Sequence, residues 1–188
     1  YYYSNKLYYT CCFNKLLQIT TINLLILIWF LGEFVMEINQ EEIYLVEQVI
    51  TYRGKVNNKL LNNVMEQLFS AINDAGLKIN GSTITAIHSI ENDCGDQIID
   101  IEIIVPINGV MTSTDEFVYR DRFEINNALM FRHIGNPQTM NTEMQEFNQY
   151  IKNNNFKPVT PFYNVTVRSA SSPSEIDNII MDIYVGVK

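Results

Sequence analysis

The alternation of apolar and polar residues predicts a strand, a helix and a hairpin in the first part of the chain. Residues 43–52 are rich in β-branched and aromatic side chains, which is typical of a strand. Residues 57–75 carry apolar side chains at every third or fourth position, which predicts an amphipathic helix that ends near Gly76. Residues 83–90 and 98–107 form a predicted hairpin, because a cluster of turn residues separates them.

The same order of elements follows in the second part of the chain. Residues 125–134 predict a strand, and Asn136 followed by Pro137 predicts the start of a helix. Residues 162–168 and 179–187 predict a second hairpin. The apolar stripe that should bury the second helix consists of Met140, Met144, Phe147 and Ile151.

Residues 43–107 and 123–187 therefore follow one plan, and the second copy lies 79 to 80 positions after the first. A repeat of about 60 residues is suited to half of a pseudo-symmetric domain. The pattern predicts an internal duplication of a strand-helix-strand-strand unit, in the α+β class. Residues 110–122 are predicted to link the halves, and residues 116–119 are compatible with a short edge strand.

The last strand of each half has two chemically different faces. One face is aliphatic in both halves and should receive a helix, because alternate residues of a strand point to opposite sides. The other face carries Glu102 in the first half and Asp182 in the second. Two such halves predict one curved antiparallel sheet with both helices on one face and a groove on the other, and both acids should lie in the groove.

The first 35 residues differ in composition from the rest. Residues 1–35 are dominated by Tyr, Asn, Lys, Leu, Ile, Phe and Thr, which is typical of translated AT-rich spacer, so we expect Met36 to be the true start. The alternative is a short membrane anchor, since residues 16–32 are nearly uncharged. Residues 36–188 are predicted to form a single domain.

The charge and cysteine content narrow the function classes. The chain has 21 Asp and Glu against 13 Lys and Arg, a formal net charge of −8, which argues against nucleic acid as a partner. Cys94 is the only cysteine after Met36, so we expect no disulfide in this domain and a cytoplasmic location. We find no metal-ligand spacing, catalytic triad or phosphate-binding loop, so no metal, cofactor or catalytic residue is predicted.

Several segments of the second half resemble the GyrI-like small-molecule-binding domain. They are residues 131–135, 144–156, 158–163 and 181–185. That family includes the effector-binding domains of AraC-type and MerR-type regulators and standalone members in Firmicutes, a few of which lie near type VII secretion genes. The resemblance implies a duplicated strand-helix-strand-strand fold. Similar proteins often have a proline where this chain has Gly186, whereas Pro106 keeps it in the first half.

The resemblance also implies a ligand site. In multidrug-binding relatives an acid in the groove pairs with cationic aromatic ligands, and by motif position that role falls to Asp182, with Glu102 as its counterpart. Tyr163 and Tyr184 are either walls of an aromatic cage for a cation or ordinary aromatic residues of a sheet face.

Three functions remain open. The leading interpretation is a non-enzymatic module that binds a small, cationic or amphipathic molecule. The alternative is a protein-interaction adaptor, associated with type VII secretion or a nearby regulator, that uses the same groove or an exposed strand edge. The third is a hydrolase of strained electrophiles that uses Asp182, Glu102 and Tyr163. A membrane partner is expected only if residues 1–35 are genuine.

Overall fold

The computed structural model describes residues 36–93 and 95–188. The expectations for residues 1–35 and for Cys94 fall outside these described residues. Residues Glu37–Lys188 form one compact unit. None of the helices in the described ranges has the length and apolar character needed to cross a membrane.

The described chain contains six strands and two α-helices, with short 3-10 helices at Asn58–Leu60, Pro137–Thr139 and Pro173–Asn178. In chain order the elements are β1 (Ile38–Asn57), α1 (Leu61–Asp74), β2 (Ile84–Asp93), β3 (Asp96–Pro106), β4 (Phe117–Ile134), α2 (Asn141–Asn153), β5 (Tyr163–Arg168) and β6 (Ile180–Gly186).

The helix ends are formed by the residues that the sequence indicates. The Asn57 side chain accepts a hydrogen bond from the Lys59 amide, and the Asn136 side chain accepts one from the Gln138 amide, both at 3.0 Å. These bonds satisfy amide groups that have no partner inside the helix. Gly76 has a φ of 72°, the left-handed conformation expected after a helix.

All six strands belong to one antiparallel sheet that closes on itself in the order β1-β3-β2-β5-β6-β4. This arrangement confirms the predicted α+β class and adds the closure, which the sequence did not predict. The short strand predicted over residues 116–119 is present, but it is the start of β4, which begins at Phe117, continues to Ile134 and pairs with β1. The prediction of a linker is therefore wrong for residues 120–122. Charged residues such as Arg120 and Arg122 are tolerated in a strand where one face reaches solvent.

The two long strands pair in a register that is symmetric about Leu45 and Glu124. Leu45 of β1 lies opposite Glu124 of β4, and these residues are 79 positions apart. On either side of them, Val46 pairs with Phe123 and Tyr44 pairs with Ile125. Each pair maps onto the other when the halves are exchanged, so the strand register repeats between the halves. The duplication itself stays a prediction from the sequence.

Each long strand has a kink at a matching position. Gln48 in β1 and Asn127 in β4 adopt positive φ values of 54° and 47°. Their carbonyl groups accept hydrogen bonds from the Ile107 amide at 2.8 Å and the Val187 amide at 3.1 Å. Because each kink interrupts the alternation of the strand, side chains on both sides of it reach the same interior.

Both helices lie on the outer face of the closed sheet, as predicted. Leu68 and Ile72 of α1 are buried with the aliphatic face of β3. Phe147 of α2 packs against Phe131 of β4, with ring centroids 4.9 Å apart. Ile151, the predicted counterpart of Ile72, is also buried.

Gly186 stands where similar proteins often have a proline, and the residue that it contacts differs accordingly between the halves. In the first half a Cβ on Gly81 would lie 3.1 Å from Pro106 Cγ. The proline ring fits because residue 81 is a glycine and has no Cβ. In the second half the sizes are exchanged, since Thr160 occupies the position of Gly81 and a Cβ on Gly186 would lie 2.9 Å from Thr160 Cγ2. The Gly186 amide, which a proline would lack, donates to Thr160 Oγ1 at 2.8 Å.

Candidate functional site

The face of the sheet opposite the helices encloses a second core, which we call the inner face. Its side chains are mostly apolar and aromatic, and two acids lie beside them, Glu102 with 7% and Asp182 with 6% of their surface exposed. The buried apolar residues of the inner face are Val49, Ile84, Ala86, Ile104, Phe123, Ile125, Ala128, Tyr163, Val165 and Tyr184, with Tyr44, Val46 and Met130 partly buried against them.

Four aromatic rings form a continuous row across the inner face. Tyr184 lies 4.8 Å from Tyr44, Tyr44 lies 6.5 Å from Phe123, and Phe123 lies 5.0 Å from Tyr163, all between ring centroids. Tyr163 and Tyr184 are also direct neighbours in register on β5 and β6. These distances and the tilted or edge-on ring planes are those of favourable aromatic pairs.

Tyr44 and Phe123 were not among the predicted site residues. Both lie on the kinked part of a long strand, outside the segments on which the site was predicted. They are separated by 79 positions, the offset of the repeat, so a search for aromatic residues at matching positions would have found them.

Glu102 has few polar partners for a buried carboxylate. Its Oε2 accepts a hydrogen bond from the Tyr163 hydroxyl at 3.3 Å, and Arg120 Nη1 lies 3.7 Å from Oε1. The second distance is too long for a hydrogen bond, and the Arg120 side chain is 50% exposed. Glu102 therefore keeps unused capacity to accept hydrogen bonds or to pair with a cation.

His88 lies beside Glu102 but does not donate to it. Its Nε2 is 2.5 Å from Arg53 Nη1 and 3.3 Å from Glu102 Oε2. A guanidinium can only donate, so Nε2 must accept from Arg53 and the ring proton belongs on Nδ1. In that tautomer the contact between His88 and Glu102 is not a hydrogen bond.

Asp182 is fully paired. The Arg132 guanidinium donates from Nε to Oδ1 at 2.6 Å and from Nη2 to Oδ2 at 2.8 Å. This bidentate geometry is the strong form of an arginine-carboxylate pair, and Asp182 raises the pKa of Arg132. The acid that the family resemblance favoured is thus occupied by a residue of the chain itself.

The halves differ because of one further acid in the first half. Arg53 lies opposite Glu102 just as Arg132 lies opposite Asp182. Arg53 instead binds Asp100 through Nε at 2.7 Å and Nη2 at 2.9 Å, which lowers the pKa of Asp100. The position matching Asp100 in the second half is Ile180, which offers Arg132 no alternative carboxylate.

The tyrosines of the inner face are held in their neutral form. Burial and the neighbouring Glu102 charge raise the pKa of Tyr163 to about 12. Burial and the charges of Tyr184 and Asp182 raise the pKa of Tyr44 to about 12. Burial, followed by Asp182, also raises the pKa of Tyr184. Near neutral pH, Tyr163 is therefore a hydrogen-bond donor to Glu102.

A cavity of about 550 Å³ opens on the other side of the sheet, and we call it the outer cleft. It lies between α1 and the junction of β2 with β5. Its lining consists of Met65, Phe69, Gly81, Ser82, Thr83, Thr85, Thr166, Val167 and Ser169. None of the four predicted ligand residues, Glu102, Asp182, Tyr163 and Tyr184, lines this cavity.

A model of a protein family described as Domain of unknown function (DUF5085) matches residues 43–185. This chain belongs to the DUF5085 family. The matched residues include both acids and all four aromatic rings of the inner face. Among curated proteins, none matches the sequence.

Several solved structures resemble this DUF5085 domain. EcmrR in its complex with DNA has a TM-score of 0.64 at 13% identity, and the match covers 97% of this chain and 69% of that one. The EcmrR C-terminal domain has a TM-score of 0.59 at 13% identity, covering 82% of this chain and 98% of that one. An uncharacterized conserved protein from Listeria innocua has a TM-score of 0.51 at 10% identity, covering 79% and 93%. These matches confirm the predicted GyrI-like resemblance at the level of the fold.

Proposed function

We propose that this DUF5085 domain binds a small organic cation on its inner face, with Glu102 as the charge partner. The observation that supports the proposal is the pairing of Glu102, which has one hydroxyl donor at 3.3 Å and one arginine at 3.7 Å, with His88 Nε2 at 3.3 Å turned to Arg53. A buried carboxylate is costly to desolvate, and an opposite charge offsets that cost. Tyr163 and Phe123 would present aromatic faces, which attract cations.

Ligand entry requires the inner face to open. Tyr44, Phe123, Tyr163 and Tyr184 are packed against one another, and most of their surface is buried. A planar aromatic cation would separate these rings and replace their contacts with its own. Arg120 is the internal cation that a ligand would displace from Glu102, so its removal should strengthen binding.

The test compares two dyes of similar size and opposite charge, rhodamine 6G as the cation and fluorescein as the anion. We expect fluorescence anisotropy to show binding of rhodamine 6G only. Glu102→Gln should weaken it by at least about tenfold, which corresponds to about 1.4 kcal/mol. Arg120→Gln should strengthen it.

The matched control is the double variant Asp182→Asn with Arg132→Gln, which removes the other buried acid together with its partner at no change in net charge. Rhodamine affinity should stay within about threefold of wild type. Single Asp182→Asn tests the assignment drawn from the family resemblance. If Asp182→Asn lowers the rhodamine 6G affinity more than Glu102→Gln does, in variants of equal stability, then Asp182 and not Glu102 is the charge partner. No binding of any cation by wild type would remove the proposal and favour the protein-adaptor alternative.

A second candidate is hydrolysis of a strained electrophile such as an epoxide, which the bond from Tyr163 to Glu102 favours. Glu102 would take a proton from water while the water oxygen adds to the ring carbon. The carbon-oxygen bond then breaks, the leaving oxygen takes the Tyr163 proton, and the proton on Glu102 returns to Tyr163. Turnover of styrene oxide to the diol that is lost in Tyr163→Phe would support this candidate, and absence of turnover would exclude this substrate.

A further inference from the structure

The lining of the outer cleft differs from the matching positions of the second half, and the difference in side-chain size is large at Thr83. Phe162, immediately before β5, lies with its ring centroid 5.9 Å from that of Phe147 and so fills the space beside α2. The residue 79 positions earlier is Thr83, immediately before β2, and it lines the outer cleft. A small hydroxylated residue therefore leaves open, beside α1, a space that a large aromatic residue occupies beside α2.

The cleft is separate from the inner face. Thr85 lines the cleft, whereas its neighbours Ile84 and Ala86 belong to the inner core. Successive residues of a strand point to opposite faces, so the sheet itself lies between the two sites. A ligand in the outer cleft would not contact Glu102 or the aromatic row.

The lining of the cleft is uncharged and divided by chemistry. Ser82, Thr83, Thr85 and Thr166 contribute hydroxyl groups, while Met65 and Phe69 of α1 form an apolar wall. Within the described ranges, these hydroxyl groups make no hydrogen bond to another residue. Toward the described residues, each hydroxyl group can therefore both donate and accept. An ionic ligand would find no opposite charge in this lining, whereas a neutral ligand with several hydroxyl groups would find matching partners.

We propose that the outer cleft is a second binding site, for a neutral polyhydroxylated molecule with one apolar face, such as a mono- or disaccharide. The apolar face would lie on Phe69 and Met65, and the hydroxyl groups would point to the threonines of the sheet. The volume of about 550 Å³ falls in the range of small-molecule sites and accommodates a ligand of this size.

The experiment uses the full chain and saturation-transfer NMR with glucose, galactose, N-acetylglucosamine and maltose as probes. We expect binding of at least one of them. Thr83→Phe copies the residue of the second half into the first and fills the cleft, so it should weaken binding by at least about tenfold. Thr166→Val removes one hydroxyl group without changing the shape and should weaken binding less.

Two control variants test whether a loss of saccharide binding is due to the outer cleft. Thr112→Phe makes an equally large change at an exposed position outside the lining and should leave saccharide binding unchanged. Glu102→Gln should also leave it unchanged, which separates this site from the proposed cation site. Should Thr83→Phe fail to fold, loss of binding in Thr166→Val serves in its place. Absence of binding for all four saccharides, or binding that persists in a folded Thr83→Phe variant and in Thr166→Val, would overturn the proposal.

Discussion

The two buried acids of the inner face have different partners because only the first half has a second carboxylate, Asp100, two residues before the buried acid. Arg53 lies opposite Glu102 on β3 but pairs with Asp100, whose side chain is 21% exposed. Arg132 has only Asp182, because Ile180 stands at the matching position. A partly exposed acid is the cheaper partner to order, since less of its hydration must be removed. Glu102 is left with spare capacity as a result.

The hydroxyl of Tyr163 makes the stability of the fold depend on pH in the alkaline range. The pKa of Tyr163 is raised from 10.0 to about 12, so the folded protein retains this proton at a pH where the unfolded chain loses it. The stabilisation is complete below pH 10 and is lost as the pH rises through about 12.

We therefore expect Tyr163→Phe to flatten the decline in stability between pH 10 and 12. Denaturant midpoints of the variant and wild type across this interval measure the effect. Tyr44, whose pKa is also raised to about 12, should keep part of the decline. Parallel curves for the two proteins would contradict the assignment to Tyr163.

At the scale of elements, the apolar stripes of the helices are the main attachment to the sheet. Leu68 and Phe147 are both fully buried beneath their helices. Leu68→Ala and Phe147→Ala should each lower the free energy of unfolding by about 2 to 5 kcal/mol, because each leaves a cavity in a packed core. Chemical denaturation measures the loss. Unchanged midpoints would mean that the stripes are exposed, as a partner surface would be.

The kinks in the two long strands should respond differently to glycine. A left-handed residue other than glycine costs roughly 1 to 2 kcal/mol, so Gln48→Gly should be neutral or stabilising. Asn127 tolerates this conformation better, and its side chain donates to the Val187 carbonyl at 2.8 Å. Asn127→Gly should therefore destabilise the fold. Equal effects of the two substitutions on thermal melting would refute the distinction.

The sequence predicted the elements whose partners are close in the chain. The helices, the two hairpins and the alternation that places Glu102 and Asp182 on the inner face follow from local periodicity. The extensions of β1 and β4 could not be found in this way, because each is stabilised by pairing with the other half. Phe123 was missed for that reason, whereas Tyr44 lies inside the predicted strand of residues 43–52 and its aromatic neighbours depend on pairing with β4. The partners of the acids depended on strand register, which periodicity alone does not give.

At the scale of the whole molecule, the closed sheet has one weak junction. The pairing of β2 with β5 is confined to Ile84–Ala86, whereas that of β1 with β4 extends from Ile38 to Tyr52. Few ladder bonds hold the junction, so we expect the sheet to open there when the proposed ligand enters the inner face.

Hydrogen exchange should show this difference directly. We expect the amides shared by β2 and β5 to exchange faster than those between Val46 and Tyr52 in β1. A cation bound on the inner face should slow exchange at the junction. Uniform protection around the sheet would show that the junction is no weaker than the rest, and ligand entry would then need another route.

The order in which substitutions can accumulate at these contacts is restricted. One half has a proline against a glycine, Pro106 against Gly81, and the other has a glycine against a threonine, Gly186 against Thr160. Gly186→Pro alone would drive the proline ring into Thr160 and remove the amide that Thr160 binds. Thr160→Gly first makes room, and the proline can then follow at little cost. The two positions are therefore epistatic, and a lineage can pass between the glycine-proline and threonine-glycine forms by only one of the two single-step routes.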